Sequence, residues 1–487
     1  MPTPCTPGEP TAPHSWRCAL PPLLRYPTVD ELSARAAALV ARHPHRARLR
    51  RVGTSRAGTP MWLLSVGHGS RHTLIVAGPH ANEPVGGATV LRLAERALAD
   101  PRLSEAADTT WNLLLSLDPD GSRRNAGWLR GPYTLGHHFR HFFRPGFLEQ
   151  PEWLPDGAAG AVLPETRTLL DLQDELRPFF QCSLHGVDVG GGFVELTRDL
   201  PGLAERVARI AARLGIPREL KPYDTLYWPC LGPAVYRIPP PRRGDLAAAI
   251  TEAAVESTWF HPHRHGTVTA VVEAPMWGVT AVEDASPAPD ADAVLRTVSR
   301  ALRHDTRLLE DLLARVRPSV GGAPDAARLL APVDDYVLVG PGLADSWDPD
   351  VHDGAARPLP PLDTARLTTL AISGRRVALR TAGLLHQLVT RAGHDPAGAL
   401  PELDRLIDKW CADYRDGYGA HWIPVARQAE YQARVVLAAF ELAAGLGQLP
   451  GPAPQAPCPD SRADTRADSH SGEQGWSSEP AVPMHRE

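Results

Sequence analysis

Short apolar segments alternate with segments of helical periodicity through the first 280 residues, and this alternation limits the possible folds more than any other feature. Residues 73–77 (TLIVA) and 267–272 (TVTAVV) are rich in β-branched residues, which favour strands. Residues 202–215 (GLAERVARIAARLG) place apolar side chains three or four apart, as an amphipathic helix requires. The alternation predicts an α/β fold built on a mixed, partly parallel sheet with helices on both faces.

The same two patterns locate the individual elements of this sheet. The first helix has a start signal, because Thr28 is followed three residues later by Glu31, the spacing of a capping box. We predict strands at residues 61–66, 73–77, 111–117, 179–184 and 267–272, and helices at residues 26–44, 84–100, 164–178 and 202–215.

The pattern changes near residue 284, which suggests how the chain is divided. Residues 284–450 are mainly helical in period. Residues 1–20 and 451–487 are rich in proline or in polar residues, so we expect both ends to be disordered. The remaining residues, 21–283, form the predicted α/β domain.

Charge and cysteine content exclude several classes of protein. The net charge of −5 gives no reason to expect a nucleic acid or an anionic membrane as partner. No apolar stretch is long enough to span a membrane, and the first residues lack the basic and apolar regions of a secretory signal. Six scattered cysteines do not suggest a disulfide framework, so we expect a cytoplasmic protein. The oligomeric state is left open.

Polar residues follow several of the predicted strands. His80 and Glu83 come after residues 73–77, His185 after residues 179–184, and Glu273 directly after the last strand. In open α/β sheets, ligands bind outside the carboxyl ends of the strands. We therefore expect these four side chains at one edge of the sheet.

Two histidines and a glutamate are a ligand set that suits catalytic zinc. Three protein ligands in tetrahedral geometry leave a fourth position open, and zinc acidifies the water that occupies it. His80, Glu83 and His185 are the predicted ligands of one zinc ion per chain. Glu273 then remains as the general base that accepts a proton from that water.

These residues resemble the zinc metallocarboxypeptidases of the carboxypeptidase A type, over about residues 25–280. His80 and Glu83 match the His-x-x-Glu zinc ligands of that family, His185 matches its third ligand, and Glu273 matches its general base. The segment GTSRAG also resembles the G-x-S-x-x-G turn of the family. The resemblance implies a zinc-dependent hydrolase that cleaves a C-terminal peptide or amide bond.

The segment DPDGSRRN (118–125) resembles the family's Asn-Pro-Asp-Gly stretch followed by Arg-x-Asn, although Asp118 replaces the first asparagine. The resemblance implies that Arg123 polarises the scissile carbonyl and stabilises the oxyanion, and that Asn125 contributes to substrate binding. Arg124 is the competing assignment for the arginine.

The sequence motifs for substrate recognition are matched less clearly than those for the metal. The family's Asn-Arg pair, which binds the C-terminal carboxylate of the substrate, has no clean match. Arg144 is assigned this role, with Arg140 and Arg130 as alternatives. The mobile tyrosine of the family is also unplaced. Its candidates are Tyr223, Tyr227 and Tyr236.

Three functions remain open on these observations. The first is a metallocarboxypeptidase acting on a peptide. The second resembles the aspartoacylase and succinylglutamate desuccinylase branch, which uses the same zinc ligands on N-acyl amino acids. The third is a zinc-binding interaction module without catalysis, against which Glu273 argues, because a binding module has no need of a base.

Overall fold

The structure is a computed structural model that describes residues 24–154, 162–240, 257–322, 325–351, 358–395 and 398–445. The predicted disordered ends, residues 1–20 and 451–487, lie outside the described residues, and those predictions stay untested.

A ten-stranded sheet forms the centre of the molecule. The strands are β1 (Ala47–Thr54), β2 (Pro60–Val66), β3 (Arg71–Ala77), β4 (Thr109–Leu114), β5 (Phe180–Gly190), β6 (Phe193–Leu196), β7 (Cys230–Gly232), β8 (Val235–Arg237), β9 (Val268–Gly278) and β10 (His421–Trp422). Nine strands follow the order β1-β2-β4-β3-β5-β9-β6-β8-β7, and β10 pairs with β9. Strands β4, β3, β5 and β9 run parallel, whereas β1, β2, β6 and β10 join antiparallel. The predicted mixed sheet is confirmed.

Twelve helices of the α type are described. They are α1 (Val29–Arg42), α2 (Val85–Ala99), α3 (Pro101–Ser104), α4 (Pro119–Arg124), α5 (Leu135–Arg140), α6 (Pro164–Leu176), α7 (Leu203–Leu214), α8 (Ala291–Val320), α9 (Ala326–Trp347), α10 (Thr364–Ala392), α11 (Ala399–Ala412) and α12 (Val425–Ala443). The predicted capping box is present at the start of α1, where the Thr28 side chain accepts from the Glu31 backbone and Glu31 caps Thr28 in return.

Helices cover both faces of the sheet, because side chains alternate along each strand. Leu74 and Val76 of β3 pack with Leu169 and Leu172 of α6 on one face. Ile75, the residue between them, belongs to the main core on the other face. That core also includes buried side chains of α1, α2, α7 and α12.

Two strands continue well beyond their predicted ends. We predicted that β5 ends at residue 184 and β9 at residue 272, but both run on to a glycine, Gly190 and Gly278. They pair in parallel as far as these glycines, with His185 opposite Glu273. Polar and glycine residues suggested a loop, whereas both strands are buried between neighbours and stay extended. The two site residues therefore lie within strands.

The chain after residue 284 is mainly helical, as predicted, but its last helix packs against the central sheet. Helices α8, α9 and α10 pack against one another, whereas α12 packs on α2, α7 and β9. Among the helices described, none has the length and apolar character needed to cross a membrane.

Candidate metal centre

His80 and Glu83 lie in the tight turn between β3 and α2. The turn is closed by a hydrogen bond from the Glu83 backbone nitrogen to the His80 carbonyl oxygen, at 3.1 Å. Gly78 starts it with a φ of 59°, and a β-carbon there would lie 3.1 Å from Ser116 Oγ. Glycine meets both demands, since it adopts positive φ and needs little space. Both side chains of the pair are buried.

The Glu83 carboxylate lies between the two histidines. Its Oε1 is 3.0 Å from His80 Nδ1, and its Oε2 is 3.3 Å from His185 Nδ1. The imidazole rings meet edge to face, with centroids 4.6 Å apart. Oε2 also accepts a hydrogen bond from the Gly186 backbone nitrogen at 3.1 Å, which fixes the carboxylate to β5. The structure therefore brings the three predicted ligands together.

Glu152 completes the group, and our sequence analysis missed it. Its Oε2 lies 3.0 Å from His185 Nε2, and its Oε1 accepts a hydrogen bond from Ser183 Oγ at 2.5 Å. His80, Glu152 and His185 each offer a ligand atom, and these atoms lie within 4.8 Å of one another. A single glutamate in the loop PEW has no spacing relative to either histidine that marks it as part of a site.

The donor set fits zinc. Imidazole nitrogens and carboxylate oxygens are its usual ligands, and the group is buried and closely spaced. Burial, with help from the Arg144 charge, lowers the pKa of His80 to about 4, so this ring is neutral and able to bind a metal. Burial alone would raise the pKa of Glu83, but His80 and His185 hold it well below its usual value.

Glu273 stands beside these residues on β9. Its Oε1 lies 3.7 Å from His185 Nδ1, and its Oε2 is buried without a hydrogen-bond partner in the described part of the chain. Burial raises the pKa of this carboxyl well above its usual value; the nearby His185 opposes the rise, whereas Glu83 and Glu195 add to it. This carboxyl group therefore lies next to the candidate ligands with one oxygen not bonded to a donor.

Arg144 is the arginine that reaches the group. Its Nη2 lies 2.9 Å from His80 Nε2, and its Nη1 lies 3.2 Å from Glu83 Oε1. Gln150 accepts a further hydrogen bond from Nη2 at 3.0 Å. The alternative for the carboxylate-binding role, Arg140, pairs instead with Asp404 of α11.

The structure does not bring Arg123 to this site. Its guanidinium forms an exposed ion pair with Asp30 of α1, with Nη2 2.6 Å from Oδ1. The competing residue, Arg124, pairs with Asp325 at 2.6 Å. Both arginines lie on α4, whose side chains at these positions point toward neighbouring helices. Both arginines thus pair with carboxylates outside the group of candidate ligands.

Asn125 holds two parts of the site together. Its side-chain nitrogen donates to the Ala81 carbonyl at 2.9 Å and to the Phe143 carbonyl at 2.7 Å. Its oxygen accepts from the Phe143 backbone nitrogen at 3.0 Å. The loop that carries His80 is thereby joined to the segment that carries Arg144. Since Asn125 is fully buried, its contacts are those of a supporting residue.

Comparison with known families agrees with this geometry. Residues 32–188 match the family model described as zinc carboxypeptidase. Over this segment, the chain is similar to the zinc carboxypeptidase family. The match covers about a third of the chain and includes His80, Glu83, Glu152 and His185, whereas Glu273 lies beyond it. No curated protein matches the chain in sequence.

Solved structures show only distant likeness to this chain. Carboxypeptidase A from Helicoverpa armigera is 15% identical, with 52% of this chain and 65% of that chain covered and a TM-score of 0.34. A metallo-carboxypeptidase from Burkholderia cenocepacia is 17% identical, with 51% and 60% covered and a TM-score of 0.31. Bovine thrombin-activatable fibrinolysis inhibitor is 13% identical, with 39% and 71% covered and a TM-score of 0.28. The match spans less than two thirds of the first two chains, and no activity follows from it.

Proposed function

We propose that the protein is a zinc-dependent metallocarboxypeptidase that hydrolyses the C-terminal peptide or amide bond of its substrate. The observation that carries this proposal is the position of the Glu83 carboxylate, which lies between Nδ1 of His80 and Nδ1 of His185 with Glu273 alongside. His80, Glu83 and His185 are the proposed ligands of one zinc ion. Bound zinc supplies Lewis acidity and lowers the pKa of water.

The protein's own residues divide the remaining tasks. Glu273 accepts a proton from the attacking water and returns it to the leaving amine. Arg144 binds a carboxylate of the substrate, because its fork of N–H donors suits a planar anion and it already contacts the Glu83 carboxylate. Glu152 holds the His185 ring through Nε2, which would leave Nδ1 as the nitrogen that holds the zinc.

A free C-terminal carboxylate on the substrate is the feature that Arg144 is proposed to recognise. Peptides and N-acyl amino acids both carry it, and both contain an amide bond next to the last residue. The acyl amino acid reaction is therefore the second candidate, and the two differ only in what lies on the amino side of the scissile bond.

The test uses zinc-loaded protein and three matched substrate pools, which are peptides with a free C-terminus, the same peptides with a C-terminal amide, and N-acyl amino acids. Mass spectrometry of the products identifies the bond that is cut. We expect loss of the last residue from free peptides and no cleavage of the amidated ones. Release of amino acids from the N-acyl pool alone supports the second candidate. Stoichiometric zinc without hydrolysis of any pool contradicts both.

A further inference from the structure

Gln432 of α12 connects the segments of chain that carry the metal centre. Its side-chain nitrogen donates to the His185 carbonyl oxygen at 2.7 Å and to the Val272 carbonyl oxygen at 2.9 Å. Its side-chain oxygen accepts from Thr89 Oγ1 at 2.7 Å. Gln432 is fully buried, so these hydrogen bonds do not compete with solvent.

Each of these three contacts is made to a segment that carries a residue of the proposed site or directly follows one. His185 is itself a proposed ligand, and Val272 immediately precedes Glu273. Thr89 lies on α2, the helix that begins directly after the turn with His80 and Glu83. One side chain far along the sequence therefore fixes β5, β9 and α2 relative to one another.

The short segment between β5 and β6 is shaped to receive α12. A β-carbon at Gly192 would lie 2.5 Å from Tyr431 Oη and 2.7 Å from its ring, closer than real atoms approach. Tyr431 is the residue before Gln432 and is fully buried. Gly192 thus lets α12 approach the segment between β5 and β6.

A second helix of the C-terminal region reaches the same strand. Arg380 of α10 donates through Nε to Asp188 Oδ2 at 2.8 Å, and His138 Nε2 lies 3.2 Å from the other carboxylate oxygen. Asp188 follows His185 by three residues on β5 and is fully buried. The helical region thus contacts the ligand-bearing strand at two buried polar points.

We infer that Gln432 is a positioning residue for the metal centre. Through it, the helical C-terminal region helps to set the geometry of the zinc site. This inference rests on the proposed zinc site. Gln432 sets the relative placement of His185, Glu273 and the turn with His80 and Glu83 by holding their backbones. Residues that orient metal ligands typically change metal affinity when they are lost, even though they do not touch the ion.

The experiment compares Gln432→Met with Gln428→Met in the full chain. Gln428 is the matched control, since it lies one turn earlier on α12 and is also fully buried. It accepts from Tyr26 Oη at 2.6 Å and donates to the Ile423 carbonyl at 2.6 Å, so neither hydrogen bond involves β5, β9 or α2. Zinc dissociation constants are measured by competition with a chelator, alongside thermal midpoints.

Both variants lose a buried glutamine with two polar contacts or more, so both should melt at a lower temperature. We expect the zinc dissociation constant to rise about 10–100-fold in Gln432→Met only, with kcat reduced more than KM is raised. Equal zinc affinity in the two variants overturns the role of Gln432. Wild-type protein that binds no zinc overturns the metal centre itself, which is a separate failure.

Thr89 offers a milder pair of variants if Gln432→Met does not fold. Thr89→Val removes the hydroxyl that donates to Gln432 while keeping the shape of the side chain, and Thr89→Ser keeps the hydroxyl. We expect weaker zinc binding in Thr89→Val and wild-type affinity in Thr89→Ser. Equal affinity in both contradicts a role for the Gln432 contact.

Discussion

The Nε2 atom of His185 lies 3.0 Å from Oε2 of Glu152, while Nδ1 of the same ring faces Glu83 at 3.3 Å. One imidazole is thus held between two buried carboxylates. Burial opposes a proton on this ring, but Glu152 and Glu83 raise the pKa of His185 well above its usual value. If one nitrogen of His185 binds a metal, the other nitrogen carries a proton and needs a hydrogen-bond acceptor. If one of the two carboxylates also binds the metal, the other is the one that accepts this hydrogen bond.

The first prediction separates the roles of Glu83 and Glu152. We expect Glu83→Gln to lose zinc almost completely, because one of three ligands is removed. Glu152→Gln should still bind one zinc per chain, with affinity about 10–100-fold weaker, as for other residues that orient a ligand. Zinc content at saturation and the dissociation constant, measured in both variants, check this.

The reverse pattern has a definite meaning. If Glu152→Gln loses zinc and Glu83→Gln retains it, the ion is held by His80, Glu152 and His185, the group whose ligand atoms lie within 4.8 Å of one another. Glu83 would then be the residue that orients the histidines. Aspartate in place of Glu83 or Glu152 keeps the carboxylate but shortens the side chain. These two variants therefore test which carboxylate must reach the zinc ion.

The second prediction concerns Arg144 and the carboxylate of the substrate. Hydrogen bonds to charged groups contribute roughly 1.5–3 kcal/mol, so Arg144→Ala should raise KM about 10- to 100-fold for substrates with a free C-terminus. Arg144→Lys keeps the charge but not the two-pronged geometry and should recover only part of the loss. Steady-state kinetics of the wild type and both variants on a peptide with a free C-terminus measure the difference.

Arg123 is the control for this prediction. The sequence register assigned it the oxyanion role, but the structure pairs it with Asp30 at the surface. We therefore expect Arg123→Ala to retain wild-type kcat and KM. A loss of two to three orders of magnitude in kcat, which is typical when an oxyanion donor is removed, would restore the assignment made from the sequence.

The third prediction concerns pH-dependent stability through Glu219. This buried carboxylate accepts from the Gly191 backbone nitrogen at 2.8 Å and from Thr369 Oγ1 at 3.2 Å. Burial raises its pKa from 4.5 to about 7, although Arg376 opposes the rise. Because the folded state holds this proton more tightly, the group stabilises the fold below about pH 4.5 and loses that contribution as the pH rises through about 7.

Glu219→Gln keeps both hydrogen-bonding positions and removes the titration. We expect the free energy of unfolding of the wild type to fall relative to that of the variant between pH 5 and pH 8. Urea denaturation at both pH values measures this difference. Glu105→Gln, at an exposed position, is the control and should show no such change. A difference that is flat with pH for Glu219→Gln contradicts the prediction.

The sheet and its helices were predictable because they depend on local patterns. The strand β3 and the helix α1 were found from β-branched content, apolar spacing and a capping box, all of which act within a few residues. The ends of β5 and β9 were not, since His185 and Glu273 look like loop residues until the neighbouring strands are known. Pairing between distant strands keeps them extended, and sequence alone does not show it.

The same distinction applies to the site. His80 and Glu83 share a turn, so their spacing is visible in the sequence. Glu152 and Gln432 reach His185 from loops and helices that lie far from it along the chain, and neither residue type is unusual where it stands. Arg123 is the opposite case, because the family register assigns it to the site, whereas in the structure its side chain pairs with Asp30.

The last prediction concerns Glu273, which separates an enzyme from a zinc-binding module. Its register opposite His185 places it at the centre, yet its Oε1 is 3.7 Å from His185 Nδ1 and its Oε2 has no hydrogen-bond partner in the described residues. A carboxyl group with an unbonded oxygen at this place suits proton transfer, which contributes at least about a hundredfold to rate. Glu273→Gln keeps the size of the side chain and removes the base. We expect hydrolysis to fall by about a hundredfold or more while zinc content and thermal midpoint stay near wild type. Unchanged hydrolysis would leave the reaction without a base, and loss of zinc would make Glu273 a ligand; either result contradicts the proposed role.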